Sequence, residues 1–164
     1  MMRIRLALGQ DLPAINKIYN QAVDQSFCTA HLKPLSIEEQ STWFKKHDPT
    51  RFPVFVSDLD NQVTGWISLG PYRADRQALD HVAEVSYYVD KRQKGKGVGT
   101  HLLKHAILKA SDFAFSVLIA ILLGRNQASI GLLEKLDFSC WGTMPGIAKI
   151  DNQEVDHLYY GLKL

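Results

Sequence analysis

The stretch Val89-Asp90-Lys91-Arg92-Gln93-Lys94-Gly95-Lys96-Gly97-Val98-Gly99-Thr100-His101-Leu102-Leu103 sets three alternating glycines and a run of cations between two apolar segments. Upstream, Val82 to Val89 reads as a strand. Downstream, Val98, Leu102, Leu103, Ala106 and Ala110 recur at helical spacing from about Gly97 to Ser111. A strand, a glycine loop and a helix in that order make an anion site. Amides at a helix start have no partner of their own, the helix dipole favours negative charge there, and glycine lets a bulky group approach the backbone. Lys91, Arg92, Lys94 and Lys96 add cations for phosphate.

Two common phosphate loops are excluded by spacing. A Walker loop needs Gly-x-x-x-x-Gly-Lys-Ser/Thr, which no register here supplies. A dinucleotide fingerprint needs Gly-x-Gly-x-x-Gly, and its third glycine falls on Thr100 or Leu102. What remains is a loop offering the amides of Gly95, Lys96, Gly97, Val98, Gly99 and Thr100 to a diphosphate; the plainer reading is a solvated turn.

The rest of the chain reads as a mixed α/β domain. Residues 3–8 alternate as a strand, and Asp11 with Pro13 opens a helix carrying Leu12, Ile15, Ile18, Tyr19 and Ala22 on one face. Ser36-Ile37-Glu38-Glu39 is a capping box opening a second helix to about Lys46. Phe52–Asp58 and Val63–Leu69 read as strands joined by Asp60-Asn61, and Gly70-Pro71 ends the second. The apolar Phe115–Leu123 reads as a strand covered on both faces, followed by a helix over Asn126–Leu136 and two more strands around Trp141 and Leu158–Leu162.

Composition narrows the function classes. With 164 residues, one domain spanning 1–164 is expected. A net charge of +2 does not suggest a nucleic-acid binder. No secretory signal precedes the first strand, and the apolar run Phe113–Leu123 is too short to cross a bilayer, so a cytoplasmic protein without a membrane partner is expected. Cys28 and Cys140 lack metal spacing and read as reduced buried thiols. His101 and His105 lie four apart on a helix but lack a third ligand, so they read as surface residues and no metal is expected. Phe113, Phe115 and the tryptophans read as packing residues.

The glycine loop, read from Lys94 to Gly99, resembles the Arg/Gln-x-x-Gly-x-Gly/Ala motif with which the GNAT N-acetyltransferases bind the acetyl-CoA pyrophosphate; Lys94 keeps a cation at the first position. Ile18-Tyr19-Asn20-Gln21-Ala22-Val23, Pro34 to Glu39 with Trp43-Phe44, Gly70-Pro71-Tyr72-Arg73, Ala83-Glu84-Val85-Ser86-Tyr87-Tyr88-Val89, Asn126 to Ile130, Trp141 to Gly146 and Asp156 extend the likeness over the chain. They resemble the phosphinothricin and methionine sulfone acetyltransferase branch. The resemblance implies a central, mostly antiparallel sheet flanked by about four helices. It also implies acetyl-CoA as cosubstrate, a small amino acid or analogue as the amine substrate, direct transfer in a ternary complex, and a homodimer.

Acetyl transfer to an amine needs a base for the ammonium, donors for the oxyanion and a proton for the thiolate. Glu84, a carboxylate on an otherwise apolar strand, is the candidate base; burial there raises a carboxyl pKa. Its plainer role is a pair with Arg73 or Arg76. The resemblance implies a substrate-contacting glutamate at Glu84 and a cofactor arm along the amides of Tyr87, Tyr88 and Val89, with the Val89 amide at the oxyanion. Asn126 reads as an N-cap, and the resemblance adds contact with cofactor or substrate; it also brings Lys135 to the cofactor. Arg73 and Arg76 carry guanidinium forks suited to a carboxylate or phosphinate.

The sequence departs from this pattern in places. Relatives carry Tyr or His where Leu133 stands, so the usual acid is missing and Tyr159, Tyr160, Tyr88 or water must replace it. Asp137 stands where relatives have glycine and is expected in a left-handed turn. Ala30 and Leu79 replace aromatic residues near the amino-acid pocket, which implies a differently shaped site.

Overall fold

The structure, a computed structural model, describes residues 2–164. Along the chain run β1 (Arg3–Leu6), α1 (Leu12–Asp24), α2 (Ile37–Lys45), β2 (Val54–Leu59), β3 (Gln62–Pro71), β4 (Val82–Val89), α3 (Val98–Lys109), β5 (Val117–Leu123), α4 (Gln127–Lys135), β6 (Ser139–Ile150) and β7 (Gln153–Lys163). The strands form one seven-stranded sheet in the order β1-β2-β3-β4-β5-β7-β6. Neighbours are antiparallel except β4 and β5, which run parallel because α3 crosses over between them.

Local chemistry sets the boundaries. Ser36 Oγ accepts from the Glu39 amide at 3.1 Å and the Glu39 carboxylate accepts from the Ser36 amide at 2.7 Å, closing the capping box of α2. Asp60 and Asn61 have φ of 51° and 63°, the left-handed pair that a tight hairpin between β2 and β3 demands. Asp137 has φ 66° where α4 stops.

Each face of the sheet carries a core. On one side α3 and the turn that follows it lay Val98, Leu102, Leu103, Ala106 and Ala110 over Phe55, Ile67, Leu69, Val85 and Leu118, with Leu133 of α4 beside them. Fully burying a leucine contributes about 1.5–3 kcal/mol, so Leu102 and Leu103 anchor this helix. On the other side Ile15, Ile18 and Tyr19 of α1 pack on Val54, Val56 and Trp66, whose indole donates to the Ile15 carbonyl at 3.2 Å.

Several sequence expectations need correction. Asp11 occupies the N-cap position of α1 without capping it. Its carboxylate instead accepts from the Leu8 amide at 2.8 Å and from Arg5 at 2.7 and 2.9 Å, because a guanidinium on β1 is the stronger partner. Cys28 is only half-buried and Cys140 is exposed, since one sits on the α1–α2 loop and the other on the edge strand β6. Trp141 is 47% exposed and lies over Gly161 at the sheet edge, outside the core. His105 is half-buried with its ring 4.7 Å from that of Phe55, and burial lowers its pKa; His101 is exposed as expected. The last two strands run to 12 and 11 residues, longer than their apolar segments suggested, because β6 is mostly exposed and its pattern weak.

Candidate active site

β4 and β5 part company at Glu84. Their parallel pairing covers only Val82↔Val117, Ala83↔Leu118 and Glu84↔Ile119. Beyond it β4 continues to Val89 along β3 alone, while β5 stays with β7. The fork opens a cavity of about 780 Å³.

The alternation of an antiparallel ladder decides what β4 offers to this gap. The Asp90 amide donates to the Thr64 carbonyl at 2.9 Å, so the amides of Tyr88 and Ser86 also turn toward β3. Those of Val85, Tyr87 and Val89 face the gap. The expected row of amide donors therefore includes Tyr87 and Val89; Tyr88 contributes its ring instead. Side chains alternate too: Val85, Tyr87 and Val89 join the core under α3, and Tyr88 joins the core under α1. Glu84 shares the face of Tyr88.

Glu84 lines the cavity, half-buried between the buried Ala83 and Val85, and burial raises its pKa. Among the described residues it forms no ion pair, and Arg73 and Arg76 are exposed on the β3–β4 loop, outside the cavity lining. The pairing of Glu84 with either arginine is therefore not formed.

At the other end of the gap Gly95 and Gly97 have φ of 76° and 83°. The Lys96 amide donates to the Gln93 carbonyl at 3.2 Å and the His101 amide to the Gly97 carbonyl at 3.0 Å. The amides of Gly95, Gly97, Val98, Gly99 and Thr100 make no bond among the described residues, and all five residues line the cavity. An open backbone cradle of this kind fits a diphosphate. Of the expected cations only Lys94 lines the cavity. Lys96 is exposed and outside the lining, and Arg92 is drawn onto Asp90 at 2.9 Å, whose carboxyl it holds down to about 2. The opposite wall carries Asn126 and Lys135. Asn126 caps α4, its Oδ1 accepting from the Ser129 amide at 3.2 Å.

Sequence reasoning missed the contribution of α1 and the loop after it. Gln21 accepts from the Lys91 amide at 2.9 Å and Gln25 from the Lys94 ammonium, tying the end of α1 to the glycine loop. One helical turn separates the two glutamines, the only signal that could have paired them. Over Glu84's side of the gap, the Tyr19 hydroxyl bonds Thr29 Oγ1 at 2.8 Å and also His31 Nδ1, and the Tyr88 ring stands 4.9 Å from that of Tyr19. Burial pushes the Tyr88 phenol up. Ala30 lines the same end, whereas Leu79 does not.

A diphosphate cradle, a splayed strand with free amides and a desolvated carboxylate describe a site for acyl transfer from a nucleotide thioester. The acetyltransferase (GNAT) family profile matches residues 15–138. The chain belongs to this family. It takes its acetyl group from acetyl-CoA and is an N-acetyltransferase. YwnH of Bacillus subtilis is 37% identical over 164 residues, 99% of each chain. The L-methionine sulfoximine/L-methionine sulfone acetyltransferase of Pseudomonas aeruginosa is 33% identical, over 98% of this chain and 94% of that protein. Among solved structures, a Sinorhizobium meliloti phosphinothricin acetyltransferase in complex with acetyl-CoA superposes with a TM-score of 0.93 at 26% identity, covering 99% of this chain and 88% of that one.

As a GNAT protein the chain still lacks the expected acid on α4, where Leu133 is fully buried. Tyr160 donates to Glu134 at 3.0 Å and is committed there. Tyr159 lies outside the cavity lining with its ring against His157 at 5.6 Å. Among the described residues no His, Cys, Asp or Glu group could hold a metal, and no helix is long and apolar enough to cross a membrane.

Proposed function

We propose that residues 1–164 form one catalytic domain that acetylates the amine of a small amino acid or analogue bearing a sulfone, sulfoximine or phosphinate group. The observation that carries this reading is the fork between β4 and β5, with the unpaired Glu84 at its apex and the amide cradle at its mouth. Coenzyme A would lie with its diphosphate on Gly95, Gly97, Val98, Gly99 and Thr100, near Lys94, and its arm along Tyr87 and Val89 toward Asn126 and Lys135. Acetyl-CoA supplies the activated acyl carbon. Glu84 takes the proton from the substrate ammonium, the Val89 amide faces the thioester oxygen, and the amine attacks directly; Cys28 lines the cavity but its thiol is turned to Gln25 Oε1 at 3.9 Å, and Cys140 is exposed on β6. The names of the relatives support the amino-acid class. Arg73 and Arg76, on the loop leading into β4, draw the substrate's carboxylate or phosphinate toward the mouth.

The reading includes a homodimer in the cytoplasm. Trp141, Met144 and Ile147 are exposed on the edge strand β6, an apolar strip that a second copy would cover. Two unpaired cysteines suit a reducing compartment. The test is acetyl-CoA-dependent thiol release near pH 8 over a panel of methionine sulfone, methionine sulfoximine, phosphinothricin, the common amino acids, spermidine and an aminoglycoside. Turnover confined to amino acids and their analogues is expected. Saturable acetyl-CoA binding with no turnover of any amine would instead make the protein a sensor.

A further inference from the structure

Collapse of the tetrahedral intermediate leaves a thiolate inside the fork, where a positioned hydroxyl protonates sulfur more effectively than bulk water. Four phenols stand in or near the fork, and β4 sorts them. Tyr88 lies with Tyr19 on the face of Glu84, from which the amine arrives, and the Tyr19 hydroxyl is shared with Thr29 and His31. Tyr160 is bound to Glu134. Tyr87 alone projects to the opposite face, under α3 and α4, and still lines the cavity.

Its hydroxyl donates only to the Ser129 carbonyl, at 3.5 Å. That is far beyond the 2.7–2.8 Å usual for an O–H···O bond, so the hydroxyl is weakly engaged and can turn to a better acceptor entering the gap, while burial keeps the phenol protonated until that acceptor arrives. Ser129 lies one turn before Leu133 on α4, so the phenol tip stands beside the stretch of helix whose own side chain is an inert leucine. Three residues of strand, about 10 Å, separate Tyr87 from Glu84, and the gap continues past Tyr87 to the cradle. A thioester whose diphosphate sits on the cradle and whose carbonyl carbon meets an amine at Glu84 must place its sulfur between the two. Lys135, the other proton donor on that wall, lies six residues beyond Ser129, about 9 Å along α4.

We propose that Tyr87 is the general acid of this enzyme, donating its hydroxyl proton to the coenzyme A sulfur as the C–S bond breaks. The assignment rests on the reading of the fork as an acetyltransferase site. The substrate ammonium first gives one proton to Glu84, and the free amine then forms the C–N bond, pushing the carbonyl pair onto oxygen. Re-formation of the carbonyl breaks the C–S bond. Tyr87 protonates the departing sulfur, and its phenolate is restored by the proton that the new amide nitrogen sheds. One proton leaves through Glu84, so the sum is ammonium plus thioester giving amide, thiol and a proton.

The experiment compares wild type with Tyr87→Phe on two donors, acetyl-CoA and its selenoester analogue. The selenolate is the conjugate base of a much stronger acid and leaves without a proton. With acetyl-CoA, Y87F is expected to lose about 100-fold in kcat. The KM and directly measured Kd for acetyl-CoA should stay within about twofold, which also certifies a folded cleft. With the selenoester, Y87F should recover to within a few-fold of wild type. Equal activity of the two proteins on acetyl-CoA, or the same loss on both donors, would overturn the assignment, the second by showing that the ring merely shapes the cleft. Failure of wild type itself to acetylate any amine removes the acetyltransferase reading and the assignment with it.

Discussion

Replacing Glu84 by glutamine keeps the size and hydrogen-bonding reach of the side chain and removes only its basicity. The carboxylate is half-buried with no ion pair among the described residues, so no neighbouring cation compensates its burial and its pKa is raised. A positioned base contributes about 10²–10⁴-fold to rate, or about 2.7–5.5 kcal/mol of barrier at 1.36 kcal/mol per decade. Under the proposed mechanism kcat/KM of E84Q falls by that factor at pH 8. The wild-type profile rises with pH through an acid limb set above the ordinary carboxyl range, and E84Q loses this limb. Stability moves the other way. A carboxyl whose pKa is raised by folding binds its proton more tightly in the native state, so native stability declines as pH rises from the unfolded value through the folded one. E84Q removes this decline and should melt no lower than wild type at pH 8. Thiol-release kinetics across pH 5–9 and thermal melting at both ends of that range read both effects. Wild-type kcat/KM in E84Q at every pH would refute the role of Glu84 as base, and a lower melting temperature at pH 8 would refute its desolvation as the source of the raised pKa.

The amide cradle, the buried charges and the sheet edge yield three more predictions. Gly97 has φ 83°, and its added Cβ would stand 3.5 Å from the His101 ring; Gly97→Ala therefore pays about 1–2 kcal/mol in a left-handed conformation and should weaken acetyl-CoA binding about tenfold by calorimetry. Arg5 bridges the buried Asp11 and Asp58, with contacts of 2.7 and 3.0 Å, so Arg5→Ala leaves Asp11 without its cation and Asp58 with only Arg3 at 3.4 Å, and should cost about 3 kcal/mol in urea unfolding. Both carboxyls are held below their ordinary pKa, so the stability they contribute is present at neutral pH and disappears as pH falls through the native values; R5A should flatten that acid dependence. At Gly161 an added Cβ would lie 2.1 Å from the Trp141 ring, so Gly161→Ala must push the indole off β7, shifting its emission to the red at a cost of about 1–3 kcal/mol.

Local chemistry was legible in the chain wherever it has a short period or a fixed partner. The strand Val82–Val89, the apolar face of α3 and the Ser36–Glu39 capping box all follow from residues within two turns of one another. The glycine loop was legible as an anion site because the positive φ of Gly95 and Gly97 and the free amides beside them belong to one short run of residues. Choices among partners were not. Arg92 could have served a phosphate as well as Asp90, and Asp11 could have capped α1 as well as held Arg5; only the approach of β1 and of the Asp90 turn decides. The α1–α2 loop, with Thr29, Ala30 and His31, has no period at all, so nothing in its composition announces that it closes over Glu84.

The fork itself explains how one strand would serve so many parts of the proposed reaction. Had β5 stayed paired along all of β4, the amides of Tyr87 and Val89 would be consumed by the ladder; because β5 follows β7 instead, they open onto the gap. The two-residue period of a strand then separates the chemistry by direction. Glu84 and Tyr88 project to the side of α1, the free amides lie in the plane of the sheet, and Tyr87 projects to the side of α4. A base, an oxyanion donor and an acid need three different approaches to one carbonyl carbon. In the proposed mechanism eight residues of β4 provide all three, and shifting the strand by one residue would exchange the proposed base and acid for their neighbours.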